Sequence, residues 1–260
     1  MSNLKKITIF LGSFFILWLI GAIYLTSQAS NIVFNNQVSW APVPQYQNNY
    51  ELNFIKNSNG QHISMWTFEN QTSQNWILYL HGNAGRLADF FQHLTPNANV
   101  LSPAYPGYHE SEGSPTVENV YETATLAYDW LVNVKKVPEN KITILGHSMG
   151  GSPATYLASK KPQAKKLVLI NTFSSIQSMC FSTYSILCVF SGNIFNTAKN
   201  AEKVTIPVRQ YAYKGDLTVP YQEGKTLFTY FTATKDKKFI DLEKFTHSYP
   251  DFELIMQDMF

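Results

Sequence analysis

Apolar residues along this chain fall into three patterns. The first is one continuous block: Ile7 to Leu25 is nineteen residues without a charge, rich in Phe, Ile, Leu and Trp, and preceded by Lys5-Lys6. The second is a series of short runs. Tyr50 to Ile55 and His62 to Phe68 contain alternating apolar positions and flank Asn57-Ser58-Asn59-Gly60, a pattern that predicts a hairpin. Further runs at Trp76 to Leu80, Val100 to Ala104, Ile142 to Leu145, Leu167 to Ile170, Val208 to Tyr213 and Phe239 to Leu242 predict strands of a mostly buried sheet. The third pattern is helical: between Val117 and Val132, the residues Val120, Ala124, Ala127 and Leu131 recur at spacings of three and four. Strands alternating with such helices predict an α/β domain with a mostly parallel sheet.

The apolar block divides the chain. Its length nearly crosses a bilayer core at about 1.5 Å per residue. Cleaved signals have apolar stretches of roughly 7 to 15 residues, so this one favours an uncleaved anchor over residues 1–30. Cleavage after Ala29, within Ser27-Gln28-Ala29-Ser30, is the alternative and would leave a secreted or periplasmic protein. In both readings Lys5-Lys6 stays in the cytoplasm and the body lies on the far side, as a single-pass membrane protein if the anchor is kept. Residues 31–49, with Pro42, Pro44 and many Asn and Gln, read as a linker, and residues 50–260 as the domain.

Composition removes several classes. The 260 residues are 45% hydrophobic and 15% charged, enough for a core and too little charge for a disordered chain. Lys5 and Lys6 account for the whole excess of 20 basic over 18 acidic residues, so the body lacks the basic footprint of a nucleic-acid partner. Cys180 and Cys188 make no disulfide framework and read as buried thiols. His62, His93 and His109 lack ligand spacing, so no metal is expected. Oligomeric state is not legible.

Chemistry enters at Gly146-His147-Ser148-Met149-Gly150-Gly151, which follows the strand run ending at Leu145 and precedes a helix expected over Ala154 to Lys160. This is G-x-S-x-G in a strand-turn-helix setting, where a sharp turn lifts the serine hydroxyl above the sheet. A hydroxyl needs a base, best a histidine oriented by a carboxylate. After Ser148 the chain contains one histidine, His247. Six acids lie between them: Glu202, Asp216, Glu223, Asp236, Asp241 and Glu243. Only Asp216 directly follows a strong strand run, and Asp241 is the runner-up. His81-Gly82-Asn83-Ala84-Gly85 follows another strand, so the backbone N–H groups of Asn83 and Met149 are candidate donors to an oxyanion. His81 and His147 read as structural members of these turns.

These segments, with Tyr105-Pro106-Gly107-Tyr108-His109-Glu110-Ser111-Glu112-Gly113-Ser114-Pro115 and Asp216-Leu217-Thr218-Val219-Pro220, resemble the α/β-hydrolase superfamily. The resemblance is closest to its membrane-anchored branch related to abhydrolase domain-containing 12, 13 and 17 proteins and fungal Bem46, and spans about residues 50 to 250. It implies an eight-stranded α/β-hydrolase fold with a Ser148, Asp216, His247 triad, acting mainly on lipids and acyl thioesters. The chain departs from the branch at Arg86, where Asn is usual, at Pro106 for Arg, and at Tyr213 and Thr246 for Gly. Arg86 is a candidate contact for an anionic head group.

From Leu167 to Ala198 there is no Asp, Glu, Lys or Arg. In this superfamily an insertion after the sixth strand forms the lid, here about 173–200. Its apolar residues, Phe190 and Phe195 among them, suit either an acyl-chain wall or packing on the core. The expected function is a serine hydrolase of esters or thioesters with an apolar, lipid-like acyl group, working without metal or cofactor. A peptidase or amidase is the second enzymatic reading, and an inactive binding scaffold the third.

Overall fold

The alternating runs that open the body pair as a hairpin. In the computed structural model, which describes residues 3–34, 50–83, 98–179, 194–243, 246–247, 251–257 and 259, β1 (Tyr50–Lys56) lies antiparallel to β2 (His62–Phe68). Asn57 closes the turn, its side-chain oxygen accepting from the N–H groups of Asn59 and Gln61. The remaining strands are β3 (Trp76–Leu80), β4 (Asn99–Pro103), β5 (Ile142–His147), β6 (Lys166–Ile170), β7 (Val208–Tyr213) and β8 (Lys237–Leu242). They form one sheet in the order β1-β2-β4-β3-β5-β6-β7-β8, parallel from β4 to β8.

Every residue of β3, β4 and β5 is buried, which explains their apolar runs. Their side chains still alternate between faces. Leu78, Leu80, Leu101, Ile142, Ile144, Leu167 and Leu169 face one core, and Ile77, Tyr79, Val100, Leu145, Val168 and Ile170 face the other.

Helices cover both faces. After α1, described below, α2 (Val117–Asn133) begins with a capping box in which Thr116 and Asn119 exchange side-chain-to-backbone hydrogen bonds. It buries Val120, Ala124, Ala127 and Leu131, the predicted stripe. On the same face lie α3 (Gly151–Lys160) and α4 (Thr197–Ala201). Next in the chain is α5 (Tyr221–Thr229), and α6 (Phe252–Gln257) places Ile255 in the opposite core.

At the other end of the chain, α1 (Asn3–Val33) carries exposed apolar side chains including Phe10, Phe14, Leu17 and Ile20, and Lys5–Tyr24 is long and apolar enough to cross a membrane. The helix runs past the expected boundary at residue 30, and Phe34 immediately after it is buried in the main core. Residues 35–49 of the expected linker lie outside the described residues.

Candidate active site

The turn around Ser148 is shaped by close backbone approaches. β5 ends at His147, and Ser148 has φ of +54°, a conformation that costs an L-residue roughly 1–2 kcal/mol. A short 3-10 turn, Ser148–Gly150, then leads into α3. A side chain at Gly150 would place its Cβ 2.1 Å from the Leu80 carbonyl oxygen, and one at Gly146 would meet the Gly150 carbonyl at 2.6 Å. Glycine is required at both because the facing atoms, backbone and at Gly146 also the short Ala154 Cβ, have nowhere to go. From just beyond β6, the neighbouring strand, the Thr172 hydroxyl donates to the Ser148 carbonyl at 2.8 Å and holds the turn from the far side.

His247 approaches this serine from the C-terminal loop. Its Nε2 is 2.9 Å from Ser148 Oγ, and its Nδ1 is 2.6 Å from Asp216 Oδ2. With Nδ1–H donating to the carboxylate, Nε2 is the bare nitrogen and accepts from the serine hydroxyl. The loop after β7 holds Asp216 rigidly: its Oδ1 accepts from the backbone N–H groups of Thr218 at 2.8 Å and Val219 at 2.9 Å. The Asp216 side chain is 1% exposed and that of His247 15%, so solvent does little to screen the pair. Asp241, the other candidate acid, lies on the surface, accepting from the Tyr221 hydroxyl at 2.6 Å and pairing with Lys214 at 3.4 Å. The Tyr221 hydrogen bond, with Lys214 behind it, holds its carboxyl below the usual range.

The His81–Asn83 turn abuts Ser148, since a Cβ on Gly82 would stand 3.2 Å from the serine Cβ. Residues 75–186 match the family model described as the alpha/beta hydrolase fold. Protein bem46 of Schizosaccharomyces pombe is 30% identical over 193 residues, covering 69% of this chain and 64% of that protein. The lysophosphatidylserine lipase ABHD12 of Danio rerio is 27% identical over 194 residues, covering 64% of this chain and 49% of the relative. A solved α/β hydrolase from Vibrio vulnificus superposes with a TM-score of 0.72 at 18% identity, covering 90% of this chain and 89% of the other.

The chain belongs to the α/β-hydrolase family. It spans about half to just under two thirds of the length of these curated relatives.

Several residues that support the site of this α/β-hydrolase were not singled out from sequence. Asn171 ends β6 in a left-handed conformation, φ +47°, and bridges two arms of the site. Its Oδ1 accepts from the Tyr213 N–H at 2.9 Å, and its Nδ2 donates to the His247 carbonyl at 3.3 Å. His147 Nε2–H donates to that same carbonyl at 2.8 Å. The structural role read for His147 is therefore specific: it holds the histidine loop. Burial lowers the pKa of His147 to about 3, with the His247 ring adding to the effect, so the ring stays neutral.

The second structural histidine behaves alike. His81 Nδ1–H donates to the Gly82 carbonyl at 2.7 Å, its ring packs on Tyr105, and burial pushes its pKa down to about 3. Tyrosines from the segment after β4 brace the turn, Tyr105 donating to the His81 carbonyl at 3.1 Å and Tyr108 to Asn83 Oδ1 at 2.8 Å. Burial raises the pKa of both phenols, so each remains a donor at neutral pH.

The insertion after β6 is partly described. Buried Glu223 at the start of α5 accepts from Ser174 Oγ at 2.7 Å and Ser178 Oγ at 2.6 Å, clamping the insertion's first turn. Phe195 is wholly buried in the main core against Phe34 and Tyr121, which is the core-packing alternative at that position. Arg86, Phe190, Cys180 and Cys188 lie outside the described residues.

Proposed function

We propose that this α/β-hydrolase cleaves a carboxylic ester or thioester with an apolar acyl group, through an acyl-enzyme on Ser148. One observation carries the reading: His247 is within hydrogen-bond distance of both Ser148 and Asp216. Ser148 Oγ attacks the carbonyl carbon while its proton passes to His247 Nε2. Asp216 stabilises the resulting imidazolium and keeps it oriented. The tetrahedral oxyanion accepts from the N–H groups of Asn83 and Met149, at the two turns that meet beside Ser148. Collapse expels the alcohol or thiol, which takes the proton from His247. Water then enters, gives a proton to the same nitrogen and attacks the acyl-enzyme, releasing the acid and restoring Ser148.

The apolar acyl preference rests on the uncharged insertion that enters and leaves next to the site, and on the lipase named among the relatives. The apolar helix α1 supports a membrane anchor, with the body on the non-cytoplasmic side. The test is labelling by a fluorophosphonate probe together with hydrolysis of p-nitrophenyl esters from acetate to decanoate. Ser148→Ala is expected to abolish both while the protein remains folded. Labelling retained on another serine would overturn the assignment, and a flat chain-length profile would remove the apolar-acyl part of it.

A further inference from the structure

The anchor helix and the catalytic body are joined by more than the chain between them. Phe34, the first residue after α1, is 6% exposed, and its ring meets Phe195 edge-on at 5.6 Å. Phe195 packs in turn on Tyr121 at 5.9 Å, and the Tyr121 hydroxyl is hydrogen-bonded to Ser152 Oγ at 2.9 Å. Ser152 lies in the first turn of α3, just beyond the nucleophile turn. A line of direct side-chain contacts therefore runs from the end of α1 to the helix that follows Ser148.

Length sets how far this docking point lies from the bilayer. The apolar span ends at Tyr24 and the helix continues to Val33, so nine helical residues separate them. At 1.5 Å per residue that is about 14 Å, and a head-group layer takes up roughly 5–8 Å of it. The body thus sits just outside the head groups with the start of α3, the active-site end of that helix, turned toward α1. A second feature belongs to the same end of the sheet: Leu217, next to Asp216 in the loop after β7, is 99% exposed. One bare leucine is ordinary on a protein surface, so it adds a point of contact for the lipid layer and not a reason for it.

We propose that docking of Phe34 on Phe195 holds the active site of this protein against the bilayer crossed by its own α1, so that it takes its acyl ester from that same leaflet. This rests on the ester-hydrolase reading above and adds to it the surface that presents the substrate.

The experiment uses the full chain reconstituted in phosphatidylcholine vesicles. 4-Methylumbelliferyl palmitate is supplied either in the protein-bearing vesicles or in separate protein-free ones, and soluble 4-methylumbelliferyl butyrate reports basal turnover. The parent protein is expected to hydrolyse the palmitate at least tenfold faster when it shares the vesicle. Phe34→Ser should reduce that rate fivefold or more. Because this change opens the core, a second form carries twenty Gly and Ser residues inserted between Val33 and Phe34. This insertion leaves the ring contact intact but loosens the tether by about 25 Å. The inserted form should lose the shared-vesicle advantage while butyrate hydrolysis stays within twofold of the parent. Equal palmitate rates for parent and inserted protein, with butyrate hydrolysis intact, would overturn the inference alone. A mature chain beginning at Ser30 would also overturn it, and absence of butyrate hydrolysis in the parent would overturn the ester-hydrolase reading as well.

Discussion

Asp216→Asn tests the arrangement of charge around His247 more sharply than removal of the serine does. One carboxylate oxygen accepts from two backbone N–H groups and the other from the imidazole. An amide has one acceptor to replace two. If its oxygen stays on the Thr218 and Val219 N–H groups, its NH2 faces Nδ1 and drives the ring to the tautomer with the proton on Nε2. That tautomer donates to Ser148 instead of taking its proton. The flipped amide keeps the ring correct but leaves two buried donors facing a donor, at about 1–3 kcal/mol each. The productive arrangement is then disfavoured by about 2–6 kcal/mol. At about 1.4 kcal/mol per factor of ten, kcat should fall between about thirtyfold and twenty-thousandfold. Thermal stability should change little, because the unproductive amide keeps both backbone hydrogen bonds. The assay is p-nitrophenyl butyrate hydrolysis by full-length protein in detergent, beside Asp241→Asn, whose loss breaks only surface contacts. More than a third of parent activity in Asp216→Asn, or a large loss in Asp241→Asn, would refute the reasoning.

Gly150→Ala should destabilise the fold by about 1–3 kcal/mol or more, because its Cβ falls on the Leu80 carbonyl; an unchanged urea midpoint would contradict this packing. Asn171→Asp keeps an acceptor for the Tyr213 N–H but sets an oxygen against the His247 carbonyl, so kcat should drop about tenfold with KM nearly constant, whereas a change confined to KM would remove its positioning role. His81 and His147 have folded pKa values of about 3 against 6.5 in the unfolded chain, so below pH 6.5 the unfolded state binds protons that the native state refuses. Their contribution to stability is complete above pH 6.5 and declines toward pH 3, by on the order of 1 kcal/mol per pH unit for each ring. Urea midpoints at pH 7 and pH 5 should show the decline, and equal midpoints would refute it.

What sequence could reveal here follows the range over which each signal acts. The sheet was legible because burial on both faces leaves unbroken apolar runs, and α2 because its apolar stripe has the helical period. The start of α3 was not: it begins at Gly151, three residues before the expected Ala154, since glycine gives no helical signal even where close backbone approach requires it. Ser148, Asp216 and His247 were proposed from the G-x-S-x-G turn, from a carboxylate directly after a strand run and from the one histidine after Ser148, and the fold brings the three within hydrogen-bond distance. Asn171, His147 and Glu223 act across tens of residues, through partners whose identity depends on which strands become neighbours. The Phe34 contact was hidden for the same reason. Nothing around an uncharged segment announces that one of its rings fills a gap beside Tyr121.

The turn around Ser148 also bears on when the proposed chemistry would become available to this protein. The turn lies against the Leu80 carbonyl of β3, Thr172 beyond β6 donates to the Ser148 carbonyl, and His247, 99 residues after the serine, approaches its hydroxyl. A chain that has left the ribosome or crossed a membrane without the His247 loop would lack the base proposed for Ser148. On the proposed role of His247, reactivity therefore waits until that loop has been made and has folded back beside β5. A chain with a reactive serine has already assembled the middle of its sheet, and its labelling by an active-site probe would serve as a clock for the completion of folding.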